Sequence, residues 1–220
     1  MQNSIGWWYR NADGTYPVNQ WQLIDNKWYH FDRNGYMQIG WLQLGNTWYY
    51  LNTDGGMVTG WQMIGGSEYY FVESGEMSVG WRSIDGTYYY FVPSGAMATG
   101  WVQSGAYWYY MDPSTGKMAT GFVAIKGTTY YMNASGAMVT GWFQLGGKWY
   151  YATSSGAVAK KGWVGNYYLD KDGVMVTYAY VKNGAKYYWI NSAGVYTQTY
   201  TEKDTAGYTI YDQTTGTKMD

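Results

Sequence analysis

An aromatic residue returns about every 20 positions along this chain, and no other feature constrains its fold as much. The series is Trp21, Trp41, Trp61, Trp81, Trp101, Phe122, Trp142 and Trp163, at steps of 20, 20, 20, 20, 21, 20 and 21 residues. Glycine precedes all but the first, at Gly40, Gly60, Gly80, Gly100, Gly121, Gly141 and Gly162. Seven residues after the leading aromatic a second cluster begins, as in Trp28-Tyr29-His30-Phe31, Trp48-Tyr49-Tyr50-Leu51, Trp108-Tyr109-Tyr110-Met111 and Trp149-Tyr150-Tyr151. A polar glycine-containing turn and a methionine follow, as in Asn52-Thr53-Asp54-Gly55-Gly56-Met57. A period this short means a stack of small supersecondary units, none of which buries its apolar faces alone.

Each unit reads as a β-hairpin. The segments are short, rich in aromatics and joined by turn formers such as Gly45-Asn46, Gly65-Gly66 and Asp85-Gly86. A two-residue turn at Gly45-Asn46 sets Trp41 opposite Tyr50 and Gln43 opposite Trp48. Alternation then gives Trp41, Trp48 and Tyr50 one face, and Leu42, Leu44, Tyr49 and Leu51 the other. A lone hairpin is marginal in water, so neighbours must stack to bury both faces. The predicted fold is all-β, a solenoid of about ten tandem hairpins with stability summed over nearest-neighbour contacts.

The ends depart from the repeat. Trp7-Trp8-Tyr9 matches only a second strand, so residues 1–20 read as a partial repeat. Residues 21–177 hold about eight hairpins, the last shortened through Val164-Gly165-Asn166 to Tyr167-Tyr168-Leu169. Residues 178–220 read as divergent capping repeats. One lies near Tyr178 to Trp189, and a Thr- and Tyr-rich one runs from about Thr199 to Tyr211. A homodimer surface through these C-terminal hairpins is the alternative reading of the drift.

Composition narrows the function. Fourteen Trp and 28 Tyr stand against 5 Phe, a preference for rings that sit half-exposed with a polar edge in water. The formal net charge is −1, from 14 Lys+Arg and 15 Asp+Glu, so the positive groove that nucleic acid requires is missing. There is no cysteine for a disulfide or a thiolate metal site. Nor does any stretch approach the apolar run of a membrane-spanning helix. Gln2-Asn3-Ser4 after Met1 does not read as a signal peptide, and the chain is expected to be a mature protein or an excised piece.

Units such as Gly40-Trp41-Leu42-Gln43-Leu44-Gly45-Asn46-Thr47-Trp48-Tyr49-Tyr50-Leu51, followed by Gly56-Met57-Val58-Thr59-Gly60, closely resemble the choline-binding repeats of pneumococcal and related streptococcal surface proteins and cell-wall lysins. The resemblance is clear from residue 21 to 177. It implies a left-handed superhelix of hairpins, a location on the bacterial cell surface, and binding to phosphocholine of teichoic acids. Each site of that family takes two aromatics from one hairpin and a third from the next, with a methionine nearby. Glucan-binding repeats of glucansucrases and carbohydrate-binding repeats of clostridial toxins share the Gly-Trp and Tyr-Tyr frame. They often carry Lys or a small polar residue where this chain has Trp28, Trp48, Trp108 and Trp149, which favours choline.

The residue types fit that ligand chemistry. A quaternary ammonium donates no hydrogen bond, whereas rings offer it quadrupole attraction and contact with its methyl groups, Trp best of all. Three rings at roughly 1–2 kcal/mol each, less the cost of association, leave millimolar-class binding. Several such sites facing a ligand-bearing polymer gain avidity on the order of 10²-fold without new contacts. Carried over residue by residue, the family pattern gives five sites: Trp21, Trp28 and Tyr50; Trp41, Trp48 and Tyr70; Trp81, Tyr88 and Tyr110; Trp101, Trp108 and Tyr131; Trp142, Trp149 and Tyr168. The third ring rests on strand alternation, and the adjacent Tyr of each pair is its alternative. Glu68 after Trp61 and Thr129 after Phe122 break two further cages, marking structural units. Met37, Met57, Met77, Met97, Met118 and Met138 are expected to fill gaps between hairpins rather than touch ligand.

The chain reads as a binding module and not an enzyme. His30 is the only histidine, which excludes imidazole triads and multi-histidine metal sites, and it is expected to be a packed or rim substitution. Asp32, Asp54, Asp85, Asp112, Asp170 and Asp172 read as turn formers. Glu68, Glu73 and Glu76 form the one acidic cluster, without the cleft a paired-carboxylate glycosidase needs. No cofactor is expected. Such repeats anchor hydrolases in longer chains, and repeats that bind a protein partner are the third class of reading.

Overall fold

The structure, a computed structural model, describes residues 1, 4–183, 186–201, 210–212 and 217–219. Every regular element among them is a β-strand. The first four hairpins pair β1 (Gln20–Ile24) with β2 (Lys27–Phe31), β3 (Gly40–Leu44) with β4 (Thr47–Leu51), β5 (Gly60–Ile64) with β6 (Ser67–Phe71), and β7 (Gly80–Ile84) with β8 (Thr87–Phe91). Next come β9 (Gly100–Ser104) and β10 (Tyr107–Met111). Three further hairpins pair β11 (Gly121–Ile125) with β12 (Thr128–Met132), β13 (Gly141–Leu145) with β14 (Lys148–Ala152), and the shortened β15 (Gly162–Val164) with β16 (Tyr167–Leu169).

The chain divides into two compact units at the fifth hairpin. One comprises Met1–Val102 with Met111–Met118, the other Gln103–Tyr110 with Ala119–Asp220. In the second unit the two-stranded pattern ends at Ala179. There β17 (Ala179–Asn183), β18 (Lys186–Ile190) and β19 (Tyr196–Thr201) form one three-stranded sheet, and β20 (Ile210–Asp212) pairs with β21 (Thr217–Met219). The hairpin expected from Thr199 to Tyr211 lies largely outside the described residues.

Two-residue turns fix the registers. Trp41 faces Tyr50 and Gln43 faces Trp48 across β3 and β4, as the Gly45-Asn46 turn requires. At Asp85-Gly86 both central residues have positive φ, 50° and 75°, the condition of a type I′ turn whose twist matches that of the strands. The shortened hairpin keeps its frame, with Trp163 opposite Tyr168 and Val164 opposite Tyr167.

Within each unit one backbone bond recurs between successive repeats. The N–H of Met57 donates to the carbonyl of Trp28 at 2.8 Å, Met77 to Trp48 at 2.8 Å and Met97 to Glu68 at 2.7 Å. The second unit repeats it from Met138 to Trp108, Val158 to Thr129 and Met175 to Trp149, each at 2.8 Å. Glu68 and Thr129 make this bond as well as any Trp, because it uses only backbone atoms. The core sits at the last residue of each second strand: Phe31, Leu51, Phe71, Phe91 and Met111 in the first unit, Met132, Ala152, Leu169 and Ile190 in the second, all essentially inaccessible. Burying a side chain of this kind contributes about 1.5–3 kcal/mol. Stability is therefore spread along the repeats rather than held in one centre.

Candidate binding site between hairpins

The leading Trp of a hairpin packs edge-on against two tyrosines. Trp41 meets Tyr50 of its own hairpin at 5.1 Å and Tyr69 of the next at 5.0 Å, measured between ring centroids. Trp61 does the same with Tyr70 at 5.2 Å and Tyr89 at 4.9 Å, and Trp142 with Tyr151 at 5.2 Å and Tyr167 at 4.8 Å. Steeply inclined interplanar angles between 61° and 73° place ring edges on ring faces, the geometry that aromatic quadrupoles favour.

Two cavities show what this packing leaves open. In the first unit, Trp21, Trp28, Tyr49 and Met57 line a groove of about 370 Å³, with Glu73, Ser74 and Glu76 at its rim. In the second, Trp142, Trp149, Tyr167, Met175 and Ala193 line one of about 380 Å³. Each takes two Trp from one hairpin, a Tyr and the following Met from the next repeat, and its rim from the turn after that. The second Trp of each is exposed, Trp28 at 44% and Trp149 at 41%. A ring in this position has one packed side and one wet side.

In the three trios that lie within one unit, the Tyr packed beside the leading Trp is the adjacent one of each pair, the alternative to the one alternation favours. Tyr49, not Tyr50, stands beside Trp21, at 5.1 Å. Tyr50 packs on its own Trp41 and reaches Phe71 of the following hairpin at 6.5 Å. Tyr69 likewise replaces Tyr70 beside Trp41, and Tyr167 replaces Tyr168 beside Trp142; Tyr168 packs on Trp163 at 5.1 Å. Alternation within the hairpin holds. What it leaves undetermined is which faces meet. The Trp41-Trp48-Tyr50 face of one hairpin lies against the Tyr69-Phe71 face of the next, so opposite faces of successive hairpins are in contact.

The other two trios take members from both units. Trp81 and Trp101 are half-buried, Tyr88 and Trp108 exposed, and Tyr110 half-buried. Trp81 packs on Tyr90 of its own hairpin at 5.1 Å. Tyr131, chosen with Trp101 and Trp108, stacks on Phe143 at 4.7 Å and packs on Phe122 at 5.0 Å.

Phe122 is exposed on one side and packs on other rings on the other. Phe143 lies between Tyr131 and Tyr150 in near-parallel stacks, at interplanar angles of 11° and 18°, and 6.3 Å from Phe122. Trp163 is enclosed by Tyr168, Tyr188 at 5.2 Å and Tyr196 at 6.0 Å, next to the core of Val176, Ala179, Val181 and Ile190. Both are packing clusters.

The methionines do two things at once. Met57 lines the first groove, and a Cβ built on Gly75 would fall inside its side chain. Gly75 has φ +84°, a conformation that costs glycine little, so only glycine satisfies both the turn and the methionine beneath it. Met175 stands in the same relation to Gly194. The methionines thus fill gaps under the turn glycines, and Met57 and Met175 also line the grooves.

The acidic residues mostly tie turns. The Asp32 carboxylate accepts the N–H groups of Asn34 and Tyr36, and that of Asp170 those of Asp172 and Val174. The hydroxyls of Ser114 and Thr115, with their N–H groups, hold Asp112 down to about 2. His30 is buried against Trp21 at 5.0 Å, with Nδ1 2.5 Å from the Gln38 amide oxygen. Glu73 and Glu76, noted in the sequence only as an acidic cluster, are part of the first groove. Their position two hairpins after Trp21 carried no local signal.

Comparison with known proteins agrees with this architecture. Residues 18–59, 78–121 and 119–163 match the sequence profile of the choline-binding repeat, and residues 59–77 match that of a cell wall binding repeat. Among curated protein sequences none matches. Of solved structures, CbpJ from Streptococcus pneumoniae is 40% identical, with a TM-score of 0.73 over 77% of this chain and 61% of that one. Choline binding protein F of the same organism is 38% identical, with a TM-score of 0.71 over 77% and 60%. The choline-binding domain of CbpL, also from Streptococcus pneumoniae, is 33% identical, with a TM-score of 0.61 over 81% and 96%. The chain thus spans about three fifths of the first two structures and nearly all of the CbpL domain.

Proposed function

This chain belongs to the choline-binding repeat family, and we propose that it is a non-catalytic module that holds quaternary ammonium groups in the aromatic grooves between its hairpins. The observation that carries this reading is the groove formed by Trp21, Trp28, Tyr49 and Met57, which recurs as Trp142, Trp149, Tyr167 and Met175. Two indoles, a phenol and a thioether present π faces and polarisable surface but few hydrogen-bond donors. A sugar asks for several directed hydrogen bonds. A trimethylammonium group asks for none, and gains from π faces on several sides.

The natural ligand on this reading is phosphocholine of cell-wall teichoic acids, and the module resides at the bacterial surface. Single grooves bind weakly; several engaged with one polymer hold it. Glucan binding by the same rings is the competing reading. Parallel retention on immobilised choline and on insoluble glucan separates the two. The proposal requires retention on choline and release by free choline, and retention on glucan alone overturns it.

A further inference from the structure

The two grooves have the same walls but different rims. The rim of the first is the turn Val72-Glu73-Ser74-Gly75-Glu76, whose Glu73 and Glu76 line the cavity with Trp21 and Trp28. The matching turn at the second is Asn191-Ser192-Ala193-Gly194-Val195, which contributes Ala193. Both turns are built alike. Val72 N–H donates to the Glu76 carbonyl at 2.9 Å and Gly75 N–H to the Val72 carbonyl at 2.8 Å; Asn191 and Gly194 make the same two bonds at 3.0 Å. Each turn is seated by its glycine on the methionine of the groove it borders. Two carboxylates therefore occupy places held at the other groove by Ser192 and Val195. Both glutamates are exposed, and among the described residues neither forms an ion pair.

Building on the proposed function, we infer that Glu73 and Glu76 make the Trp21-Trp28-Tyr49 groove selective for ligands whose only charge is the ammonium over ligands that also carry a phosphate, whereas the Trp142-Trp149-Tyr167 groove takes both alike. Choline carries only its positive charge. In phosphocholine a phosphate stands two carbons from the nitrogen, so a bound headgroup brings that anion to the rim. At the first groove the carboxylates attract the cation and repel the phosphate; at the second none of the lining residues is charged. The field of the rim reaches the cage itself. Burial first, and then the negative charge of Glu76, push the Tyr49 hydroxyl above its ordinary pKa. In general a carboxylate about 7 Å from a unit charge in high dielectric changes affinity by roughly threefold, and two by up to about tenfold, an effect that salt screens. The first groove thus favours an ammonium whose phosphate projects away from the third hairpin, or one without a phosphate.

The test uses the whole chain labelled with 5-fluorotryptophan, with the Trp28 and Trp149 resonances assigned by W28F and W149F. Each resonance is titrated with choline and with phosphocholine, at low and at high salt. At Trp28, choline is expected to bind roughly threefold to tenfold tighter than phosphocholine at low salt. That preference should collapse in high salt and in E73Q/E76Q. At Trp149 the two affinities should match within about twofold under all conditions. Equal ratios at both grooves, or an unchanged ratio in E73Q/E76Q, overturn the inference and leave the choline reading standing. If neither resonance responds to either ligand, the choline reading itself fails and the inference with it.

Discussion

Trp21 and Tyr49, 28 positions apart, meet edge-on at a centroid distance of 5.1 Å and an interplanar angle of 64°. The contact joins the first hairpin to the second and walls one side of a groove whose opposite side is open to solvent. Burial and ligand access are thus arranged on the same rings. At this groove the leading Trp21 is the more buried ring, and the second, Trp28, is exposed.

Tyr49 and Tyr50 should behave differently on truncation. Tyr49→Ala removes a wall of the first groove and is expected to reduce the number of bound choline molecules by one. Tyr50→Ala removes contacts with Trp41 and Phe71 and should leave the first groove loaded. Calorimetric titration, after circular dichroism has verified folding, measures both.

Trp48→Ala and Phe122→Ala form a second contrast. Trp48 is 37% exposed, and its backbone carbonyl still accepts the Met77 N–H whatever the side chain. Its loss should remove one ligand site and, because Trp48 also meets Trp41 at 6.1 Å, cost about 1–3 kcal/mol of stability. Phe122 packs on Tyr131, Tyr150 and Phe143. Its replacement should cost about 1–3 kcal/mol, below the range for a fully buried ring because it is partly exposed, and leave the ligand count unchanged. Chemical denaturation and titration of the same two variants read both quantities.

These contrasts mark how far the sequence alone reaches. The 20-residue period and the turn dipeptides determine hairpin register down to the Gln43 and Trp48 pair. Strand alternation also sorts each hairpin into two faces correctly. Neither property says which face meets which neighbour, because that depends on how the Met57-to-Trp28 backbone bond rotates one hairpin onto the next. Alternation alone therefore favours Tyr50 without excluding Tyr49. The rim was less legible still, since Glu73 and Glu76 reach a groove whose Trp residues lie some fifty positions earlier. Phe143 occupies a position filled by Leu42, Gln62 and Val102 in other repeats, and only its stacking on Tyr131 and Tyr150 reveals it as part of the Phe122 cluster.

Choline should stabilise the folded chain. Each groove takes residues from consecutive repeats, so a ligand seated there binds the folded array and not the unfolded chain. The gain is about 2.7 kcal/mol per site at a hundredfold excess over Kd. Thermal melts at rising choline concentration should show a Tm that climbs steadily, and an unmoved curve at saturation would mean that the sites do not bridge hairpins.

Asp112 offers a test of the turns themselves. Its carboxyl is held to about 2 by Ser114 and Thr115, below the ordinary value near 3.8. A depressed folded-state value stabilises the fold above the unfolded pKa. That contribution shrinks as pH falls below about 3.8 and is gone once pH passes below about 2. Carbon-detected NMR titration should place the Asp112 midpoint near 2 in the native chain and higher in a Ser114→Ala/Thr115→Ala variant, which keeps only the two backbone N–H donors.

The central claim is that the grooves between consecutive hairpins hold the ammonium, and a crystal structure with choline present tests it most directly. The account predicts a trimethylammonium group enclosed by Trp21, Trp28 and Tyr49, and another by Trp142, Trp149 and Tyr167, with nothing beside Phe122, where Phe143 stacks between Tyr131 and Tyr150. Choline seated beside Tyr50 and Tyr168, or on a single hairpin without its neighbour, would contradict it.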